Sequence, residues 1–154
     1  MADVRIVTGD LLDQPVEAIV NPWNRNIIPW WLLLPHGVSG AIKRRGGYAP
    51  FRELARIGPL PLGRAAITTA GRLPFRGIIH VAALDLTWRS SERAIRLGTQ
   101  NALAAASAAG FASVAFPLIG AGVGGVSPAT AELAIVETAQ ASDYAGVVMV
   151  VRFG

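Results

Sequence analysis

The clearest chemical signal in this sequence is the loop Pro117-Leu118-Ile119-Gly120-Ala121-Gly122-Val123-Gly124-Gly125-Val126, which places four glycines in the six positions 120 to 125. Glycine adopts positive φ freely and lets the backbone approach a ligand with no Cβ in the way. Successive backbone N–H groups in such a loop form an anion-binding nest, and the N-terminus of a following helix adds its dipole. A diphosphate is the natural guest. No Lys-Ser/Thr pair follows the glycines, so magnesium-dependent triphosphate hydrolysis is not indicated. The plain alternative is a glycine-rich surface turn. A second close approach is expected at His36-Gly37-Val38-Ser39-Gly40, again just before a helix. Two such loops would form two walls around an elongated, phosphate-bearing ligand. Asp10 is an acceptor-only group suited to an exocyclic amine, or else an ordinary turn carboxylate after Gly9. Asn21 and Asn24 offer amide donors and acceptors suited to sugar hydroxyls, or else turn chemistry around Pro22.

These residues need a frame that brings them together. Val4 to Thr8 has strand character and leads into Gly9-Asp10. A second strand over about Ala18 to Asn21 is expected to stop at Pro22. Arg64 to Thr69 and Gly77 to Ala82 read as strands joined by the turn Gly71-Arg72-Leu73-Pro74. Ser113 to Phe116 and Val147 to Phe153 complete the set, the last near-continuously apolar and so central. Three helices are expected: a short one over Gly40 to Arg45, a long one over Ser91 to Ala109 ended by Gly110, and one from Ser127-Pro128 to about Ala141. Alternating strands and helices predict an α/β fold, three layers α/β/α around a central mixed sheet of about six strands. Asp10, Asn21 and the glycine loop each follow a strand, so they should converge on the crevice beyond the strands' carboxyl ends, where open α/β sheets bind ligands.

Composition narrows the class. The 154 residues are 52% hydrophobic and 16% charged, the balance of a well-packed globular protein, and no linker or repeat divides them, so one domain over 1–154 is expected. The longest apolar run, Ile27 to Pro35, is about half the ~20 residues that span a bilayer. The N-terminus lacks a signal peptide's apolar core, so a cytoplasmic protein is expected. Cysteine is absent and only His36 and His80 are present, which rules out thiolate sites and argues against any metal site. The net charge of +4 is carried almost wholly by arginine, Lys43 being the only lysine. That suits an anionic ligand, although scattered arginines equally well decorate a surface.

Taken in order, these pieces resemble the macrodomain family, whose members bind ADP-ribose. Thr8-Gly9-Asp10-Leu11 is similar to the family's opening motif, and Val16 to Asn24 to its strand ending in two asparagines. Gly37-Val38-Ser39-Gly40-Ala41-Ile42 matches the helix start beside the first phosphate loop. Ile78-Ile79-His80-Val81 matches a core strand, and Pro117 to Gly125 the second phosphate loop. The resemblance implies that Asp10 contacts adenine, and that the backbone of Gly37, Val38 and Ser39 and of Gly120, Ala121, Gly122 and Val123 holds the diphosphate. It also implies that Asn24 serves the distal ribose, with Asn21 the other asparagine of the motif, and that Phe153 lies near the adenine or ribose. His80 is read as a buried structural histidine. No cofactor is implied.

The sequence departs from the family pattern at Ser39, in the loop after the asparagines and at its end. Ser39 stands where a hydrolytic branch places an aspartate that helps activate water, and serine without a partner is a poor general base. Lys43 lies on the helix and does not suit covalent lysine chemistry. The glycine run expected after the asparagines is replaced by Ile27 to Pro35, either a lid or contact for a partner or second copy through Trp30 and Trp31, or an extension of the core. The chain also stops at Gly154 after the last strand, which is expected to leave the adenine pocket open. The leading expectation is a module binding ADP-ribose or ADP-ribosylated targets. The alternative is a hydrolase of ADP-ribose 1″-phosphate, O-acetyl-ADP-ribose or ADP-ribosyl esters, with Asn24 orienting the ribose for substrate-assisted water attack. A third reading is a poly(ADP-ribose) or nucleic-acid binder using the arginines.

Overall fold

A computed structural model of the chain describes residues 1–32, 37–85, 89–121 and 124–153. Six strands form one sheet: β1 (Asp3–Gly9), β2 (Ala18–Trp23), β3 (Ala65–Thr68), β4 (Gly77–Ala82), β5 (Ser113–Phe116) and β6 (Val147–Phe153). Their spatial order is β1-β6-β5-β2-β4-β3, with all neighbours parallel except β3, which runs antiparallel to β4. The expected mixed α/β sheet is therefore present. Four helices flank it: α1 (Gly37–Gly46), α2 (Ala49–Ile57), α3 (Glu92–Ala109) and α4 (Pro128–Ala141).

Strand residues alternate between two apolar layers. Val20, Ile79, Val114, Phe116, Val148 and Val150 pack with α3 and α4 residues such as Ile95, Leu103 and Ile135. Ile19, Trp23, Ile78, Ala115 and Val151 face the other way, against Ile42 of α1 and Phe51 and Leu54 of α2. Both faces of the sheet are thus covered, which is why β4 is buried along its whole length. The long helices end where their sequence signals lie. Ser91 caps α3 by accepting from the Ala94 N–H at 3.1 Å, and Gly110 closes it in the left-handed region at φ 77°. Ser127 caps α4 ahead of Pro128. A lost serine cap of this kind costs about 1 kcal/mol.

Three expectations change. α1 begins at Gly37, a turn earlier than read, so both glycines of the motif lie inside the helix. α2 is not among the three helices read from the sequence; its capping position is Tyr48, which makes no side-chain cap, so the usual start signal is missing. Pro50 in its first turn, the Phe51/Leu54 pair and the terminating Gly58 at φ 87° are the signals that betray it. β2 continues through Pro22 to Trp23. It pairs with β5 only at Ala18 and Ile19, and Trp23 O accepts from Ala83 N on the β4 side. Pro22 therefore turns its missing N–H toward an edge that β5 has already left, where proline is tolerated.

The tryptophan segment divides. Trp30 stacks on Tyr48 with ring centroids 5.2 Å apart and lies 6.3 Å from the Phe51 ring. Its carbonyl accepts from Lys43 Nζ at 3.3 Å, and that ammonium sits 4.9 Å from the Phe51 centroid and under 6 Å from those of Trp23 and Trp30. Lys43 is buried among these rings, and desolvation lowers its pKa. Trp30 thus extends the core rather than serving as a free contact, while Trp31 and Leu32 point to solvent. Leu33, Leu34, Pro35 and His36 lie outside the described residues. Among those described, no helix is long and apolar enough to cross a membrane.

This division predicts unequal effects of mutation. Trp30→Ser should lower unfolding stability in urea by about 1–3 kcal/mol through lost packing. Trp31→Ser should change it by less than about 0.5 kcal/mol.

Candidate functional site

The site grows from strand register. Gly9, the last residue of β1, pairs with Phe153 of β6, while β5 ends at Phe116 opposite Val150. The segments leaving β1 and β5, and the end of β6, are therefore forced to the same edge of the sheet. Beyond Gly9 the chain makes a single 3-10 turn, Leu11–Asp13, whose capping residue is Asp10. Asp10 Oδ1 accepts from Leu12 N at 2.9 Å, and Oδ2 lies 3.8 Å from the Arg45 guanidinium. Asp10 is thus a turn carboxylate that also lines a cavity.

That cavity has a volume of about 600 Å³, within the range of small-molecule sites. Gly9 to Leu12 form one side, with Val151 and Phe153 from β6 beside them. Gly37, Val38, Ala41 and Arg44 of α1 form a second wall, and Pro117, Leu118 and Ala121 of the glycine-rich loop a third. The α1 residues recur every three or four positions, so one helical face looks into the cavity. The N–H groups of the first turn of α1 lack partners within the helix, and with the dipole they make a seat for an anion. The lining is mostly apolar; its charged members are Asp10 and Arg44.

The glycine-rich loop is braced from behind. Ala121 N donates to Leu118 O at 3.2 Å and Val126 N to Gly120 O at 3.0 Å, while Ser90 N reaches Gly124 O at 2.9 Å. Gly120 sits at φ 81°, and a Cβ there would lie 2.8 Å from the Ile95 side chain, so glycine is required on both counts. Gly122 and Val123 lie outside the described residues.

Of the residues singled out from sequence, Asp10, Gly37, Val38, Ala121 and Phe153 come together at this cavity. Asn21, Asn24, Ser39 and Gly120 do not line it. Asn21 is fully buried on the sheet face shared with Ile19 and Trp23, and its Nδ2 donates to His80 Nδ1 at 3.0 Å. The Thr68 hydroxyl donates to Thr69 O at 3.0 Å and so must accept from His80 Nε2, 2.8 Å away. This chain of bonds fixes His80 as the neutral Nε2–H tautomer and leaves Asn21 Oδ1 without a partner. Burial depresses the His80 pKa from 6.5 to about 3. Asn24 is also buried, with its Oδ1 accepting from Asn26 N at 2.6 Å. Ser39 is half-buried on α1. Arg44 is the charged lining residue that sequence reading missed; its position seven residues after Gly37 on one helical face was the available signal. Among the described residues no group of three or more His, Asp or Glu could hold a metal.

The Macro domain family model matches residues 20–135. The chain belongs to the macro domain family. An uncharacterised protein of Aquifex aeolicus is 39% identical over 136 residues, covering 88% of this chain and 79% of the relative. A protein of Escherichia fergusonii named O-acetyl-ADP-ribose deacetylase is 34% identical over 141 residues, covering 86% of this chain and 76% of its own. Among solved structures, a point mutant of the Oceanobacillus iheyensis macrodomain with ADPR superposes with a TM-score of 0.80 at 29% identity, covering 95% of this chain and 82% of that one. The macro domain fold of this chain thus sets α1 and the glycine-rich loop on either side of one cavity.

The buried histidine makes stability pH-dependent. Its folded pKa lies below the unfolded value, so folding keeps it neutral. The stabilisation is complete above about pH 6.5 and is lost as pH falls toward 3, because the unfolded chain binds the proton first. Urea unfolding should show about 2 kcal/mol less stability at pH 5 than at pH 7, from 1.36 kcal/mol per pH unit. His80→Gln should flatten that difference.

Proposed function

We propose that the cavity binds ADP-ribose, free or attached to a target. Asp10 takes the exocyclic amine of adenine beside Phe153. The N-terminus of α1 and the backbone of the glycine-rich loop take the diphosphate, and the distal ribose runs toward Asn24. The observation that carries this reading is the convergence on one cavity of a carboxylate, a helix N-terminus and a glycine-rich loop, drawn from three separate parts of the chain. A nucleoside diphosphate with a second sugar has the matching order of groups: amine donor, double anion, hydroxyls. The name of the Escherichia relative and the ligand in the Oceanobacillus structure support the same choice.

Calorimetric titration tests it. ADP-ribose should bind the wild type more tightly than AMP, which lacks the second phosphate and ribose. Asp10→Ala should weaken ADP-ribose about 10–100-fold, the value of a hydrogen bond to a charged group. Asp10 also caps the turn at Leu12, so Asp10→Asn is the control that keeps an acceptor there. A folded wild type with no measurable affinity would rule the reading out.

The similarity to a protein named as a deacetylase favours a second reading, hydrolysis of O-acetyl-ADP-ribose or an ADP-ribosyl ester. Neither Ser39 nor the buried, neutral His80 is placed as a general base, so the substrate itself would have to assist water attack, with Asn24 orienting the ribose. Acetate release from O-acetyl-ADP-ribose, reduced at least about 10-fold in Asn24→Ala, is the expected outcome for an enzyme that works by positioning. Absence of turnover by a wild type that binds ADP-ribose would leave a binding module. For the polyanion reading, Arg5, Arg45, Arg76, Arg96 and Arg152 are each held in ion pairs with acidic side chains, which blunts the positive field they could offer.

A further inference from the structure

The orientation of Asn24 is set by its neighbour two residues on. Asn24 follows β2 directly, and β2 runs parallel to β5, as β5 does to β6. It therefore leaves the sheet at the same carboxyl edge as the cavity. Its side chain is buried, and its Oδ1 lies 2.6 Å from the backbone nitrogen of Asn26. A backbone N–H can only donate, so the amide atom facing it must be the oxygen. Asn26 thus decides which way the Asn24 amide is turned, and Nδ2 is the end that remains for a ligand.

Asn26 is itself anchored by three side-chain hydrogen bonds. Its φ of 61° lies in the left-handed region, which asparagine enters more readily than most residues with a Cβ. Its Oδ1 accepts from Trp23 Nε1 at 3.2 Å, and its Nδ2 donates to Leu54 O and Gly58 O, each at 2.8 Å. Leu54 and Gly58 belong to the C-terminal end of α2, where helix carbonyls lack partners of their own. The Trp23 ring in turn packs on Phe51 of the same helix, with centroids 5.3 Å apart. Asn26 is clamped between the end of β2 and the end of α2. Bending the chain at this point needs none of those bonds. What they add is a fixed position for the peptide N–H that holds Asn24. A side chain already fixed loses less entropy on binding, so this anchoring raises affinity for whatever Asn24 touches.

We propose that Asn26 is a positioning residue that sets the preference of the site for ligands carrying a second sugar. It holds Asn24 so that Nδ2 donates to a hydroxyl oxygen of the distal ribose. A bare nucleoside diphosphate has no group at that place and gains nothing from it. The inference rests on the ADP-ribose reading above, in which the distal ribose runs toward Asn24.

The test is calorimetric titration of ADP-ribose and ADP against the wild type, Asn26→Gly, Asn24→Ala and the double variant. Glycine keeps the left-handed backbone and removes the three anchoring bonds. Asn26→Gly should weaken ADP-ribose about 5-fold, the scale of one neutral hydrogen bond, and leave ADP within about 2-fold. Adding Asn26→Gly to Asn24→Ala should cost ADP-ribose nothing further, because residues acting through one contact are not additive. Asn26→Asp sets an oxygen against the Leu54 and Gly58 carbonyls. It should lower the ratio of ADP-ribose to ADP affinity in the same way, and it serves if the glycine variant does not fold. Equal losses for the two ligands would mark a purely structural role and overturn the inference. Additive losses in the double variant, or an unchanged ratio, would overturn it too. In each of those cases the ADP-ribose reading stands, whereas a wild type that binds neither ligand overturns both.

Discussion

The structure depends on the parallel register of β1, β6 and β5. Pairing Gly9 with Phe153 and Phe116 with Val150 fixes where three segments leave the sheet, and it does so through backbone hydrogen bonds that are insensitive to most side-chain changes. A slip of one residue would send every side chain of the slipped strand to the opposite face. On β6, Val148 and Val150 would exchange layers with Met149 and Val151, and neither core would close. Burial on both faces therefore locks the register, and the register places Asp10, the β6 end and the glycine-rich loop around one space. The site is a consequence of the core.

The same division into two layers explains which polar residues are free to act. Asn21 lies on a strand face buried under α1 and α2, so its amide is committed to His80 and through it to Thr68. That polar chain inside an apolar layer holds β2, β4 and β3 together without exposing a group to ligand. Residues beyond the strand ends escape this constraint. Asp10 can cap a turn with one oxygen and still present a carboxylate to the cavity. The pairing of Trp30 with Lys43 and Tyr48 likewise removes one tryptophan from the surface and ties the segment after β2 to the α1–α2 corner.

Much of this was legible in the sequence. Apolar strand runs, the Ser91 and Ser127 caps and the glycine stops gave the strands and long helices to within a few residues, because each has a local cause. The glycine clusters pointed to loops that approach a cavity closely, because glycine leaves no Cβ in the way; residues of both segments line the cavity. The parts that were not legible are tertiary. α2 lacks a side-chain cap, so its existence rests on Phe51 and Leu54 finding a sheet to pack against. Asn21 read as a group for ribose hydroxyls or as turn chemistry around Pro22, and only the early departure of β5 lets the strand continue past it. The split between Trp30 and Trp31 depends on Lys43, thirteen residues away. Arg44 looked like one more surface arginine until helix α1 was turned against the cavity.

The account's central claim is that ligand binds at the carboxyl edge of the sheet, between α1 and the glycine-rich loop. Backbone amide chemical shifts followed by nuclear magnetic resonance during titration with ADP-ribose test it directly. The account predicts that the largest shifts fall at Gly9 to Leu12, at Gly37 and Val38, and at Leu118 to Ala121. At the opposite edge, Ala112, which donates its N–H to the Glu17 carboxylate, Glu17 itself and Gly146, whose carbonyl accepts from Asp3 N, should hardly move. Shifts concentrated at that opposite edge, or along the outer faces of α3 and α4, would contradict it.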